Sequence, residues 1–205
     1  MSQRRFAENQ PTAFVFSREN LDWAQKTIAR YPKGRQASAI IPLLWRAHEQ
    51  CGGWLPRAAC EYVAKMLDMP KIRAYEVATF YTMFNLAPTG KHHVQVCTTT
   101  PCWLRGSEEI VKTCQRVMGV KEGEISADGM FSYVEVECLG ACVNAPMIQI
   151  EKDFYEDLDG LIMERMLGDL KAGKKLTPGP QIDRKNSAPV GGPQTLTDPS
   201  LYGTK

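Results

Sequence analysis

From residue 17 to about residue 88 the apolar positions recur at helical spacing. Ser17 stands before Leu21, Ala24 and Ile28, a capping residue followed by one stripe, which predicts a first helix that stops before Pro32. A second helix is predicted over Ser38 to Gln50, where Ile40, Ile41, Leu44, Trp45 and His48 share one side. Pro42 falls early in it, so the helix either starts later or bends there. Cys51-Gly52-Gly53 ends it. Pro56 and Pro70 suit the first turns of a third helix, carrying Val63, Ala64 and Leu67, and a fourth, carrying Tyr75, Val77 and Ala78. These four segments predict a bundle with Trp54, Phe80, Tyr81 and Phe84 at its ends; Phe80, Tyr81 and Phe84 could face a partner, but core is the expected place for them.

After the break at Pro88-Thr89-Gly90 the period changes. His93 to Val96 alternates as a strand does, Gly106 to Met118 returns to helical spacing with Ile110, Val111, Cys114 and Val117 on a stripe, and Phe131 to Val136 alternates again. Met147 to Ile150 is a short strand, Phe154 and Tyr155 follow a turn at Glu151-Lys152-Asp153, and Asp159 can cap a last helix through Leu161, Ile162, Met166 and Leu170. The order strand, helix, three strands, helix fits a layered α/β domain of thioredoxin-like arrangement. The predicted fold class is α+β: a helical domain over 1–88, a thioredoxin-like α/β domain over 89–175, and an extended tail over 176–205. Five Pro and four Gly among those last residues leave the tail little to bury by itself.

Composition narrows the function. A net charge of +2 and basic runs no longer than two residues argue against a nucleic-acid surface. The longest apolar stretches, such as Ala39 to Trp45, fall far short of the ~20 residues of a spanning helix. Arg4-Arg5 is followed by Ala7-Glu8-Asn9-Gln10-Pro11 and not by an apolar run, so an export signal is not expected, and a reducing compartment is. There are seven cysteines, an odd number that cannot close a complete disulfide framework.

Four of those cysteines form two pairs. Cys97 and Cys102 have the spacing C-x4-C, Cys138 and Cys142 the spacing C-x3-C, and each pair follows a predicted strand. If both strands end at one sheet edge, the two loops lie side by side and four thiols gather without a long ordered loop. A 2Fe–2S cluster takes four ligands, two for each iron, which two pairs supply. On this reading Cys97 and Cys102 hold one iron and Cys138 and Cys142 the other. Gly140 can take a positive φ that lets N–H groups approach sulfur, and Thr98, Thr99 and Thr100 offer hydroxyls. Zinc also accepts four thiolates and stays open as an alternative, although its structural sites favour C-x2-C knuckles and this chain has none. The missing C-x2-C equally disfavours a thioredoxin-type dithiol. A Rieske centre needs two histidines on one iron, whereas His92 and His93 are adjacent on a strand and face opposite ways. Cys51, Cys60 and Cys114 sit on or beside predicted helices, where a buried inert thiol is the default. Pro146, after the second pair and before a strand, is a candidate cis proline.

The two cysteine segments carry a resemblance. Val96-Cys97-Thr98-Thr99-Thr100-Pro101-Cys102, with Leu104-Arg105-Gly106 after it, and Glu137 through Met147 resemble the cluster loops of the small thioredoxin-like 2Fe–2S subunit of respiratory complex I, the NADH-quinone oxidoreductase. His48 through Leu55 and Glu76 through Phe84 resemble the N-terminal domain of that family, and related subunits occur in NAD-linked hydrogenases and formate dehydrogenases. The resemblance covers about residues 17–172 and matches all four ligand positions. It implies an electron-transfer subunit with no complete active site of its own. It also implies a partner subunit carrying FMN and NADH, further peripheral-arm subunits, and peripheral attachment on the cytoplasmic side of the inner membrane without direct insertion. NADH gives up two electrons as a hydride and a 2Fe–2S cluster takes one, so a flavin has to split the pair. This chain has neither G-x-G-x-x-G nor a G-x4-GK[ST] loop, so the nucleotide is expected elsewhere. A stand-alone ferredoxin carrier and a four-cysteine zinc interaction module are the competing readings. The helical extension argues against the carrier, and metal analysis decides against or for the module.

Overall fold

Capping and proline chemistry set the helix boundaries of the first half of the chain. The computed structural model describes residues 5–192 and 195–202. Helix α1 (Arg18–Ile28) begins where the Ser17 hydroxyl accepts the Asn20 N–H at 3.2 Å. A 3-10 turn (Gln36–Ala39) runs into α2 (Ile40–Gln50), so Pro42 falls in the first turn of α2, where its missing N–H costs least. Gly52 and Gly53, at φ 74° and 89°, end α2 in the left-handed region that a side chain would resist. Helices α3 (Arg57–Met66) and α4 (Lys71–Phe80) start one residue after Pro56 and Pro70, each of which occupies the cap position. The four helices close on Leu43, Leu44, Leu55, Cys60, Val63 and Phe84, all fully buried. His48 joins this core stacked on Trp45 at 5.2 Å, its Nε2 accepting the Asn85 N–H at 3.3 Å.

One expectation fails in this unit. Phe84 is core, but Phe80 is 77% exposed and Tyr81 39%. Helix α4 stops at Phe80 and Tyr81 is extended (φ −82°, ψ 114°), so the helical stripe that would have carried Phe80 and Phe84 to the same side is cut between them.

The chain divides into two compact units between Thr89 and Gly90. The second unit is built on a five-stranded sheet in the order β2-β1-β3-β4-β5. Strand β1 (His92–Cys97) pairs in parallel with β2 (Phe131–Val136) and antiparallel with β3 (Ile148–Ile150). Strand β4 (Asp153–Glu156) follows β3 across a tight turn with Glu151 at φ 50°. A short β5 (Gly179–Pro180) lies in parallel on β4, so part of the segment expected to be an extended tail is a sheet edge. Between β1 and β2 run α5 (Thr100–Leu104) and α6 (Ser107–Met118), and α7 (Gly160–Lys171) follows β4. Helices α6 and α7 pack on each other and α6 on β1 and β2. Their core is Val94, Val96, Ile110, Cys114, Tyr133, Ile148, Ile150, Met163 and Met166. The fold is α+β, with seven α-helices and a mixed sheet among the described residues.

Asp159 caps α7 as its position suggested, with Oδ1 accepting the Ile162 N–H at 2.7 Å. Asp159→Ala is expected to cost about 1 kcal/mol, the usual loss for a removed N-cap. Thermal unfolding followed by circular dichroism checks this, and an unchanged midpoint would mean that the cap is redundant.

Candidate metal centre

The parallel pairing of β1 and β2 builds the site. Cys97 is the last residue of β1 and lies opposite Val136, the last residue of β2, so both strands deliver their loops at one sheet edge. The Thr98 N–H reaches Val136 O at 3.3 Å and ties the two exits together. The first loop contains a helix that its spacing did not announce. Helix α5, five residues long, turns it so that Cys102 comes back within hydrogen-bond reach of Cys97. The second loop turns at Gly140 (φ 92°) and enters a 3-10 turn (Cys142–Asn144), bringing Cys142 Sγ to 3.3 Å from Cys138 Sγ. The Ala145–Pro146 bond is cis. Met147 then lies beside Cys97, whose N–H donates to Met147 O at 3.3 Å.

The two pairs differ in surroundings. Cys97 and Cys102 are each 1% exposed and form a small apolar nest with Ala145 and Met147, flanked by Leu139, Ala141 and Phe154. Cys138 and Cys142 are exposed. Burial acts to raise the Cys97 thiol, but the Thr99 hydroxyl, the N–H groups of Leu139 and Thr99, and Cys102 outweigh it and hold Cys97 below its usual value. Burial, then the hydrogen bond to Cys97, pushes Cys102 to about 12. The bond with Cys138, then burial, raises Cys142. Cys142 also interacts electrostatically with both Cys97 and Cys102, so the pairs are neighbours. Of the three threonines that could donate to sulfur, Thr99 lies within hydrogen-bond reach, its Oγ1 3.3 Å from Cys97 Sγ.

These donors fit a two-iron cluster. Four thiols stand as two neighbouring pairs, and the N–H groups of Leu139, Thr99 and Met147 point at sulfur, as a thiolate-ligated cluster requires. Of the remaining cysteines, Cys60 belongs to the core of the first unit and Cys114 to the core between α6 and the sheet. Burial drives Cys60 and Cys114 to about 12 and half-buried Cys51 to about 11, so all three thiols stay protonated near neutrality.

Two features escaped the sequence. Arg105 Nε donates to the Ala145 carbonyl at 3.5 Å, linking the end of α5 to the cis peptide. A buried polar group of Asn144, Asp157 and Arg184 lies under the second loop. The motif that contains Asn144 was visible, but Arg184 lies in a Pro/Gly-rich segment that carries no periodic signal.

A thioredoxin-like layer with paired cysteines at the ends of two parallel strands defines an iron–sulfur electron carrier of the ferredoxin class. The chain belongs to the thioredoxin-like [2Fe-2S] ferredoxin family, whose family model matches residues 24–171. It is 54% identical over 204 residues to an E-type subunit of the NADH-quinone oxidoreductase of Rhizobium meliloti (strain 1021), covering 97% of this chain and 74% of that protein. It is 58% identical over 160 residues to the E-type subunit of the NADH-quinone oxidoreductase of Rickettsia bellii (strain RML369-C), covering 78% of this chain and 96% of that one. The resemblance read from the cysteine segments is thus borne out. The Rhizobium similarity also takes in most of the segment after Leu176, which the family model leaves out. Among solved structures the fold is shared with an NAD+-reducing [NiFe]-hydrogenase in its H2-reduced state (TM-score 0.56, 18% identity). That match covers 65% of this chain and 22% of the hydrogenase chain.

Proposed function

We propose that this chain is the 2Fe–2S electron-transfer subunit of an NADH-quinone oxidoreductase, with Cys97 and Cys102 as ligands of one iron and Cys138 and Cys142 as ligands of the other. The observation that carries the reading is the pair of cysteine loops leaving one edge of the parallel β1–β2 pair. When bound, the cluster supplies a one-electron acceptor that cycles without proton or group transfer. Cys97 and Cys102 would hold it from the buried side, where Ala145, Met147 and Phe154 pack around the two thiols and exclude water. The Thr99 hydroxyl and the N–H groups of Leu139 and Met147 stabilise the thiolate charge. Exposed Cys138 and Cys142 mark the side from which a redox partner approaches.

The partner of this reading is a subunit that carries FMN and oxidises NADH, since a hydride must be split before a one-electron carrier can use it. Relatives more than half identical are named as subunits of a quinone-reducing enzyme, which favours that complex over the hydrogenase and formate dehydrogenase relatives. No helix among the described residues is long and apolar enough to cross a membrane. Attachment to the cytoplasmic side of the membrane would run through other peripheral-arm subunits. The test is iron, acid-labile sulfide and zinc per chain on anaerobically purified protein, with an EPR spectrum after dithionite. About two irons and two sulfides with a rhombic spin-half signal are expected. Stoichiometric zinc without sulfide, persisting after attempted reconstitution, overturns the reading.

A further inference from the structure

The segment after α7 does more than extend the sheet. Gly179 and Pro180 pair with Tyr155 and Glu156, and the Gln181 N–H donates to Glu156 O at 2.9 Å. The chain then crosses to the second cysteine loop. Arg184 Nη1 lies 2.9 Å from Asp157 Oδ1 and 3.3 Å from Val143 O. Its Nε donates to Ala188 O at 2.6 Å, which fixes the guanidinium from behind. The Arg184 and Asp157 side chains are only 7% and 8% exposed. Asp157 Oδ2 is buried with no hydrogen-bond partner, so Arg184 is what offsets the buried carboxylate. Asn144 Nδ2 donates to Asn186 O at 2.9 Å, while Asn144 O accepts the Asp157 N–H at 2.7 Å. The Leu158 N–H reaches Pro146 O at 3.1 Å.

Val143 and Asn144 directly follow Cys142, and the bonds that hold them come largely from outside their own loop. Within it, the Asn144 N–H donates to Ala141 O at 3.0 Å and the Ala145 N–H to Cys142 O at a long 3.4 Å. Cys138 and Cys142 are also the exposed pair. This is the half of the site with least packing of its own, and the half on which the segment acts.

We propose that residues 179–188 are a strap that positions the second ligand loop, with Arg184 as its positioning residue, and that a closed strap is what retains the cluster. The proposal rests on the ligand set given under the proposed function. Without the strap, Val143 O loses Arg184 and the Asn144 side chain loses Asn186 O, leaving the Asp157 N–H as the backbone anchor of Asn144; Cys142 then swings more freely, and iron on that side would meet water and chelators. Residues that orient ligands typically change metal retention by about 10–100-fold when replaced.

The test compares full-length wild type with Arg184→Gln and Arg184→Lys, and with Arg116→Gln as a control, since Arg116 forms an exposed ion pair with Glu164 in the same unit. The rate at which visible absorbance is lost to excess EDTA is measured, with the EPR line shape after dithionite. Arg184→Gln is expected to lose absorbance about tenfold faster, with a broadened signal, and Arg184→Lys less so. Arg116→Gln should match wild type. A wild-type rate and line shape in Arg184→Gln overturns the proposal. Should that variant not fold, amide exchange on wild type decides. If the strap holds the loop, the amides of Gln181, Asp157 and Leu158 open together. Exchange of Gln181 about a hundredfold faster than the other two would show a strap that lifts while the loop stays put. A wild type without iron and sulfide would sink the ligand reading, and this exchange measurement would still judge the strap.

Discussion

Cys138→Ala will strip the chain of its cluster: iron per chain is expected to fall at least about tenfold, with the visible bands and the EPR signal lost. Cys138 stands with Cys142 at 3.3 Å. Cys51 and Cys60 belong to the helical unit, and Cys114 is sealed in the core between α6 and the sheet. With Cys138 gone, Cys142 would be left to hold its side of the cluster alone, on the exposed side of the site that water reaches. Cys60→Ala is the matched comparison. It removes one fully buried sulfur from the helical core, costs about 1 kcal/mol of stability, and leaves the spectrum unchanged. Both variants are read by iron and sulfide analysis alongside the visible spectrum. A cluster lost in Cys60→Ala and kept in Cys138→Ala would overturn the ligand assignment.

What was legible in the sequence was local. Strand β2 matches its predicted span at both ends, because Phe131 and Tyr133 supply the apolar positions of the alternation and turn chemistry lies on either side, although Ser132 between them is buried too. The starts of α1 and α7 were legible in Ser17 and Asp159 because an N-cap bond spans three residues. Helix α5 was not, since five residues are too few to show a period. Strand β5 and the strap were not either: Arg184 meets Asp157 and Asn186 meets Asn144 across 27 and 42 residues, and both partners are short polar side chains whose pairing no periodicity encodes. Phe80 shows the reverse error, an aromatic read as core because composition says nothing about where a helix stops. At the site itself, four ligand candidates could be picked out because each pair is close in sequence and each follows a strand. The contrast between a buried and an exposed pair arises from packing by Met147 and Phe154, some fifty residues beyond Cys97, and only the folded chain displays it.

Gly90→Ala should be among the most damaging single changes outside the cysteines. A Cβ there would stand 2.3 Å from the Phe131 carbonyl carbon, 2.6 Å from Ser132 N and 2.7 Å from Phe131 O. All three are backbone atoms of β2, which is paired with β1 along its whole length and cannot retreat without breaking that ladder. The Gly90 N–H also donates to Ser132 Oγ at 2.9 Å, so any shift outward loses this bond too. Overpacking of this kind costs about 3 kcal/mol, and for a unit of this size that lowers the unfolding midpoint by on the order of 10 °C. Gly160→Ala separates distance from rigidity. Its Cβ would come within 2.4 Å of Glu109 Oε1, nearly as close, but that atom is the end of a flexible side chain that can rotate away. The added methyl also favours helix by about 1 kcal/mol, so Gly160→Ala should stay within about 1 kcal/mol of wild type. Thermal unfolding of the full chain, with amide exchange on β1 and β2 to locate the loss, measures both. Equal midpoints for the two variants would mean that β2 yields as readily as a glutamate side chain. The stakes reach the site, because β2 runs directly towards Cys138: a strand pushed off its register carries the exposed cysteine pair with it.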